Sequence, residues 1–127
     1  HHYSARPIIE RVCQGKDEGF VAAHSLAEAY AVLTRLPGGP GPTPPSIAWQ
    51  LLSENVVKFF NIVTLTGREY AETLEALSSD GVEGGKTYDA LLLKAAEKSG
   101  ATRILTYNVP HFQSMAREPA RSRISAP

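Results

Sequence analysis

Asp89 has the setting of a working group. From Thr87 to Ser99 the chain reads as a helix, closed by Gly100 in the position that ends helices in a left-handed conformation. Residues three, four and seven positions after Asp89 are Leu92, Leu93 and Ala96, so the carboxylate stands in the apolar stripe. Lys94, Glu97 and Lys98 lie on the other side. A carboxylate buried there without a partner is costly and calls for a cation, hydrogen-bond donors or a raised pKa. The bland alternative is that the positive end of its own helix steadies it. Glu28 lies at the edge of another apolar arc, beside Val32 and Arg35. It reads as the glutamate of a Ser25-x-x-Glu28 capping box, as an Arg35 partner, or as a second site carboxylate. Asn108 follows a strand in Thr106-Tyr107-Asn108, where a turn residue is the ordinary reading. His24 ends a strand and reads as structural. Lys86, Arg103, His111 and Arg117 read as surface residues.

The elements that must position these residues alternate in type. Helices are expected over 4–14, with Pro7 in the first turn and Ile8, Ile9 and Val12 at helical spacing, and from a Ser25 cap to Leu36. Others follow over 46–55, with Ile47, Leu51 and Trp49 inward, from a Thr66-x-x-Glu69 capping box to near Gly81, over 87–99, and after His111. Strands are expected over 20–23, 60–65 and 103–106, with a final edge strand around Ile124. Residues 37–45 hold five of the nine prolines and three of the ten glycines, which marks an exposed connector within one domain over 1–127. The alternation predicts an α/β fold of three layers, α/β/α, around a parallel sheet. Ligands of such sheets bind at the carboxyl ends of the strands. The loops there are Ala23-His24-Ser25 and Thr106-Tyr107-Asn108.

Composition narrows the classes. Thirteen basic and thirteen acidic residues give no net charge, so binding to nucleic acid by bulk charge is excluded and any contact must be a local patch. A single cysteine, Cys13, excludes an internal disulfide and fits a reducing, cytoplasmic setting. It reads as a partly buried small apolar residue. No run is apolar enough to span a bilayer, so no membrane is expected. There is no Gly-rich phosphate loop, no CxxC and no ligand cluster for zinc.

Three segments together resemble the PIN-domain ribonucleases, and most closely their VapC-type toxin subgroup. Residues 24–36, His-Ser-Leu-Ala-Glu-Ala-Tyr-Ala-Val-Leu-Thr-Arg-Leu, resemble that family's second helix, with its glutamate at Glu28. Residues 84–97, Gly-Gly-Lys-Thr-Tyr-Asp-Ala-Leu-Leu-Leu-Lys-Ala-Ala-Glu, resemble the helix carrying its central aspartate, here Asp89. Residues 104–112, Ile-Leu-Thr-Tyr-Asn-Val-Pro-His-Phe, resemble its T-x-D/N-x-x-x-F strand end, with Asn108 at the last acidic position. The resemblance implies a Mg²⁺- or Mn²⁺-dependent endoribonuclease. In it Asp89 and Glu28 hold metal, Asn108 and Thr106 support the network, and Lys86 and Arg103 contact RNA. It also implies a homodimer and a cognate antitoxin protein. The family's opening strand, which bears a further aspartate at the centre of the sheet, has no counterpart in residues 1–127. An open slot in the sheet and one carboxylate fewer are therefore expected. A second reading is an inactive PIN-like module that binds RNA or a protein partner. A third, a phosphate-receiver or other doubly wound domain, lacks a second acidic cluster.

Overall fold

The computed structural model describes residues 2–35 and 41–127. Helix α1 (His2–Cys13) leads to β1 (Phe20–Ala22), α2 (Ala23–Arg35), α3 (Pro45–Leu52), β2 (Asn61–Val63), α4 (Gly67–Ser79) and α5 (Lys86–Ser99). Then come β3 (Ile104–Leu105), α6 (Val109–Met115), α7 (Ala120–Arg123) and β4 (Ile124–Ser125). Part of the expected 37–45 connector lies outside the described residues.

Among the described residues all pairing is parallel, but it forms two ladders rather than one sheet. Phe20, Val21 and Ala22 pair with Asn61, Ile62 and Val63, and Ile104 and Leu105 pair with Ile124 and Ser125. Between the ladders runs a groove of about 290 Å³. β1 lines one wall, Ile104 to Thr106 the other, and Leu92, Leu93, Ala95 and Ala96 of α5 the floor. α5 packs against β1, β2, α4 and α6 and so ties both ladders together.

The core is small and gathers at the second ladder. Leu93, Ala116 and Ile124 are buried together, with Ile104, Val109, Phe112 and Met115 against them. Gly19 lies where α1, β1 and the approach to β2 meet. A Cβ there would come within 2.7 Å of Phe60 and Val12 side-chain atoms, so only glycine fits without a shift.

Local signals placed several elements well. Thr66 Oγ1 accepts the Glu69 amide at 3.1 Å, and Glu69 Oε1 accepts the Thr66 amide at 2.8 Å, so the capping box opens α4. Lys98 Nζ reaches the same Glu69 oxygen at 2.6 Å and the Thr64 carbonyl at 2.8 Å. Gly100 closes α5 at φ 72°. Cys13 is half-buried, and its Sγ lies 3.7 Å from the Asn55 carbonyl.

Other expectations are corrected. α1 starts earlier than expected, so Pro7 falls inside it and Ile9 is exposed. α2 begins at Ala23, directly off β1, so Ser25 is inside the helix and caps nothing. The final helix of the site region begins at Val109, ahead of His111. On α3 the inward face is Ala48 and Leu52, whereas Ile47, Trp49 and Leu51 are exposed. That segment is apolar nearly all round, so its sequence carried no phase. A π-helical stretch, Ser53–Val57, then extends it.

Candidate functional site

The site grows from the ends of β1 and β3. β1 passes without a loop into α2, which puts His24 in the first turn and Glu28 one turn later. Their side chains lie 3.8 Å apart, His24 Nε2 to Glu28 Oε2. β3 ends at Leu105, and Thr106 Oγ1 accepts the Asn108 amide at 3.1 Å. That bond turns the chain so that Asn108 becomes the N-cap residue of α6, where its carbonyl accepts the Phe112 amide at 3.2 Å. The Asn108 side chain makes no capping bond. The Tyr107 hydroxyl meets Ser4 Oγ at 3.3 Å, which ties this turn to α1.

Asp89 sits in the first turn of α5, half-buried as its stripe requires. Its partner is His111 in the first turn of α6, whose Nε2 lies 2.9 Å from Asp89 Oδ2. The His111 side chain is 24% exposed and that of Asp89 35%, so this pair is more sheltered than the His24–Glu28 pair. Phe112 packs edge-on against the His111 ring at 5.5 Å and fixes its attitude. The two carboxylate–histidine pairs are joined by a ring contact. Tyr88, the residue before Asp89, stacks on His24 with centroids 5.4 Å apart and planes 10° from parallel. A series therefore runs from Glu28 through His24 to Tyr88 and, by one step along the chain, through Asp89 to His111.

Of the residues singled out from the sequence, Glu28 pairs with His24 and Asp89 with His111, and Asn108 is the N-cap residue of the helix that carries His111. Lys86 is exposed at the start of α5, near Asp89 along the chain. Arg103 lines the groove between the ladders, with Ser25 and Thr106. It precedes β3, and its charge acts on Asp17, which precedes β1. The Asp17 carboxyl is held below its ordinary value chiefly by its hydrogen bond from Arg11, and least by Arg103. His111 and Tyr88 were missed as members of the series. The signal available for His111 was its place in the turn opened by Asn108. For Tyr88 no local signal existed.

Oxygen donors of this kind suit Mg²⁺, which binds through one or two carboxylates and keeps waters and phosphate as its other ligands. Glu28 and Asp89 fit that chemistry. Among the described residues no three His, Cys, Asp or Glu side chains converge on one metal position. A groove of about 770 Å³ between α4, α5 and the 114–123 segment is lined by none of Glu28, Asp89 and Asn108. No helix among the described residues is long and apolar enough to cross a membrane.

A sequence profile of the PIN domain matches residues 1–117. The chain belongs to the PIN domain family. This PIN domain is 33% identical, over 95 residues, to Ribonuclease VapC40 of Mycobacterium tuberculosis, in both the CDC 1551 / Oshkosh and the H37Rv strains. The match covers 75% of this chain and 68% of the relative. With the PIN profile, it supports a VapC-type PIN domain, and the parallel ladders flanked by helices agree with an α/β PIN fold.

Proposed function

We propose that this PIN domain is a toxin-type endoribonuclease that hydrolyses RNA phosphodiester bonds at Glu28, Asp89 and Asn108. The observation that carries this reading is the linked series from Glu28 through His24 and Tyr88 to Asp89 and His111, on elements that follow or adjoin the strand ends. The likeness to a relative named a ribonuclease supports it.

Asp89 and Glu28 would hold Mg²⁺ or Mn²⁺. When bound, the ion supplies an acidified water and neutralises charge developing on the scissile phosphate. The protein's own work is positioning. His111 holds one oxygen of Asp89, which steadies the carboxylate's rotamer. Thr106 sets the turn that presents Asn108, whose amide can orient water or phosphate without adding charge. Lys86 grips the backbone on one side of the cut. Arg103 would meet RNA only where the strand extends past the amino ends of the strands. A cytoplasmic homodimer restrained by a cognate antitoxin completes this reading.

One observation favours an inactive binding module instead: among the described residues the acidic groups occur as histidine pairs and not as a triad. The deciding experiment is cleavage of single-stranded RNA with Mg²⁺, with Mn²⁺ and with a chelator, for the wild type and Asp89→Ala. Metal-dependent cleavage lost in Asp89→Ala supports the nuclease. RNA binding without cleavage under any metal supports the module and refutes the nuclease.

A further inference from the structure

The His24–Tyr88 stack is not explained by packing. Two rings from helices far apart in sequence meet nearly parallel, yet Tyr88 remains 56% exposed and His24 is exposed beside it. Rings brought together to build a core are buried by the contact. These keep their outer surfaces in water. Each ring is also close along the chain to a carboxylate. Tyr88 is the residue before Asp89, and His24 is one helical turn before Glu28 and touches it. An RNA strand lying beside those carboxylates would carry a base toward the rings.

We propose that the His24–Tyr88 pair is a stacking platform for a base of single-stranded RNA lying beside Glu28 and Asp89. The assignment rests on the nuclease reading for its ligand. Charge supports it as well. With no net charge, the chain has no bulk attraction for RNA, so contacts at particular residues must supply its affinity. Stacking provides it, because every base has a flat π face and an aromatic ring already held in place loses little freedom on binding. The platform is tolerant of sequence, with purines favoured by their larger face. It admits only unpaired bases, since a base inside a duplex is stacked on its neighbours.

The test is binding of a short single-stranded RNA carrying 2-aminopurine, measured by fluorescence with a chelator present so that nothing is cut. Variants are Tyr88→Leu and His24→Leu, which keep apolar bulk, and Tyr88→Phe, which keeps the ring. The wild type should quench 2-aminopurine. Tyr88→Leu should lose that quenching and bind about tenfold more weakly. Tyr88→Phe should stay within about twofold of the wild type, because the ring supplies the stacking. Circular dichroism checks each fold, and His24→Leu carries the test if Tyr88→Leu does not fold. Wild-type affinity in both leucine variants, unchanged 2-aminopurine fluorescence, equal loss in Tyr88→Phe, or no RNA binding by the wild type would each overturn the platform. The same oligonucleotide in DNA form separates stacking, which DNA shares, from recognition of the 2′-hydroxyl. Because the readout needs no metal, a wild type that quenches but never cuts would refute the nuclease and retain the platform.

Discussion

Asp89→Asn separates a structural carboxylate from a working one, because the structure sets a small stability cost and the mechanism a large kinetic one. Asp89 lies in the first turn of α5, where a negative charge contributes about 0.3–1 kcal/mol with the helix dipole. Its pairing with the partly exposed His111 adds up to about 1 kcal/mol. Asparagine keeps an oxygen for His111, so part of that contact survives. The expected loss is therefore about 0.5–1.5 kcal/mol, or a fall in Tm of roughly 2–6 °C for a chain this size. The kinetic loss is larger. Removing one charged group that stabilises a phosphoryl transition state costs about 3–4 kcal/mol, or about 10²–10³-fold in single-turnover cleavage. Thermal melts followed by circular dichroism and cleavage of a labelled RNA near neutral pH measure the two. A variant that cuts within about tenfold of the wild type would refute the role given to Asp89. A Tm loss well beyond the range above would mean that the carboxylate is chiefly a structural group.

Three further outcomes are expected. His111→Ala should lower cleavage about 10–100-fold and weaken Mn²⁺ binding measured by calorimetry, with His111→Gln restoring much of both by placing an N–H near the same oxygen. Gly19→Ala should lower stability by about 1–3 kcal/mol in urea unfolding, since its Cβ would press on Phe60 and Val12; unchanged stability would mean that the junction yields freely. Hydrogen bonds from Lys98 and the Thr66 amide hold Glu69 down from 4.5 to about 2. A carboxylate with a depressed folded pKa stabilises above its unfolded pKa, so this contribution is intact above pH 4.5 and lost as pH falls to about 2. Lys98→Met should lower Tm near neutrality, and its difference from the wild type should shrink through that window; a constant difference would exclude the ionised pair as its source.

What could be read from the sequence was what neighbours along the chain decide. The Thr66–Glu69 box, the Gly100 helix end and the face of Asp89 each depend on residues within two turns, and each stands in the fold. Ser25 failed because its box pattern is satisfied equally by a helix that starts two residues earlier, straight off β1. The inward face of α3 was misread because nearly every residue from Ile47 to Leu52 is apolar. Glu28, Asp89 and Asn108 could be singled out from local motifs, but the contacts around Glu28 and Asp89 include ones that join residues across long stretches of chain. His111 meets Asp89 from 22 residues away, and His24 meets Tyr88 from another helix. No local pattern encodes such pairings.

The division into two parallel ladders also bears on the order of assembly. Parallel strands cannot be joined by a tight turn, so each ladder must close a long loop. The loop closed by Ile104 and Ile124 is about half as long as that closed by Phe20 and Asn61, an entropic advantage of roughly 0.6 kcal/mol. The shorter loop also delivers most of the buried apolar cluster onto α5. It contains His111, so the Asp89–His111 contact can form with that half alone. Glu28 and His24 come with the slower half. Formation of the Asp89–His111 pair would thus mark the first closure, and formation of the Tyr88–His24 stack the second.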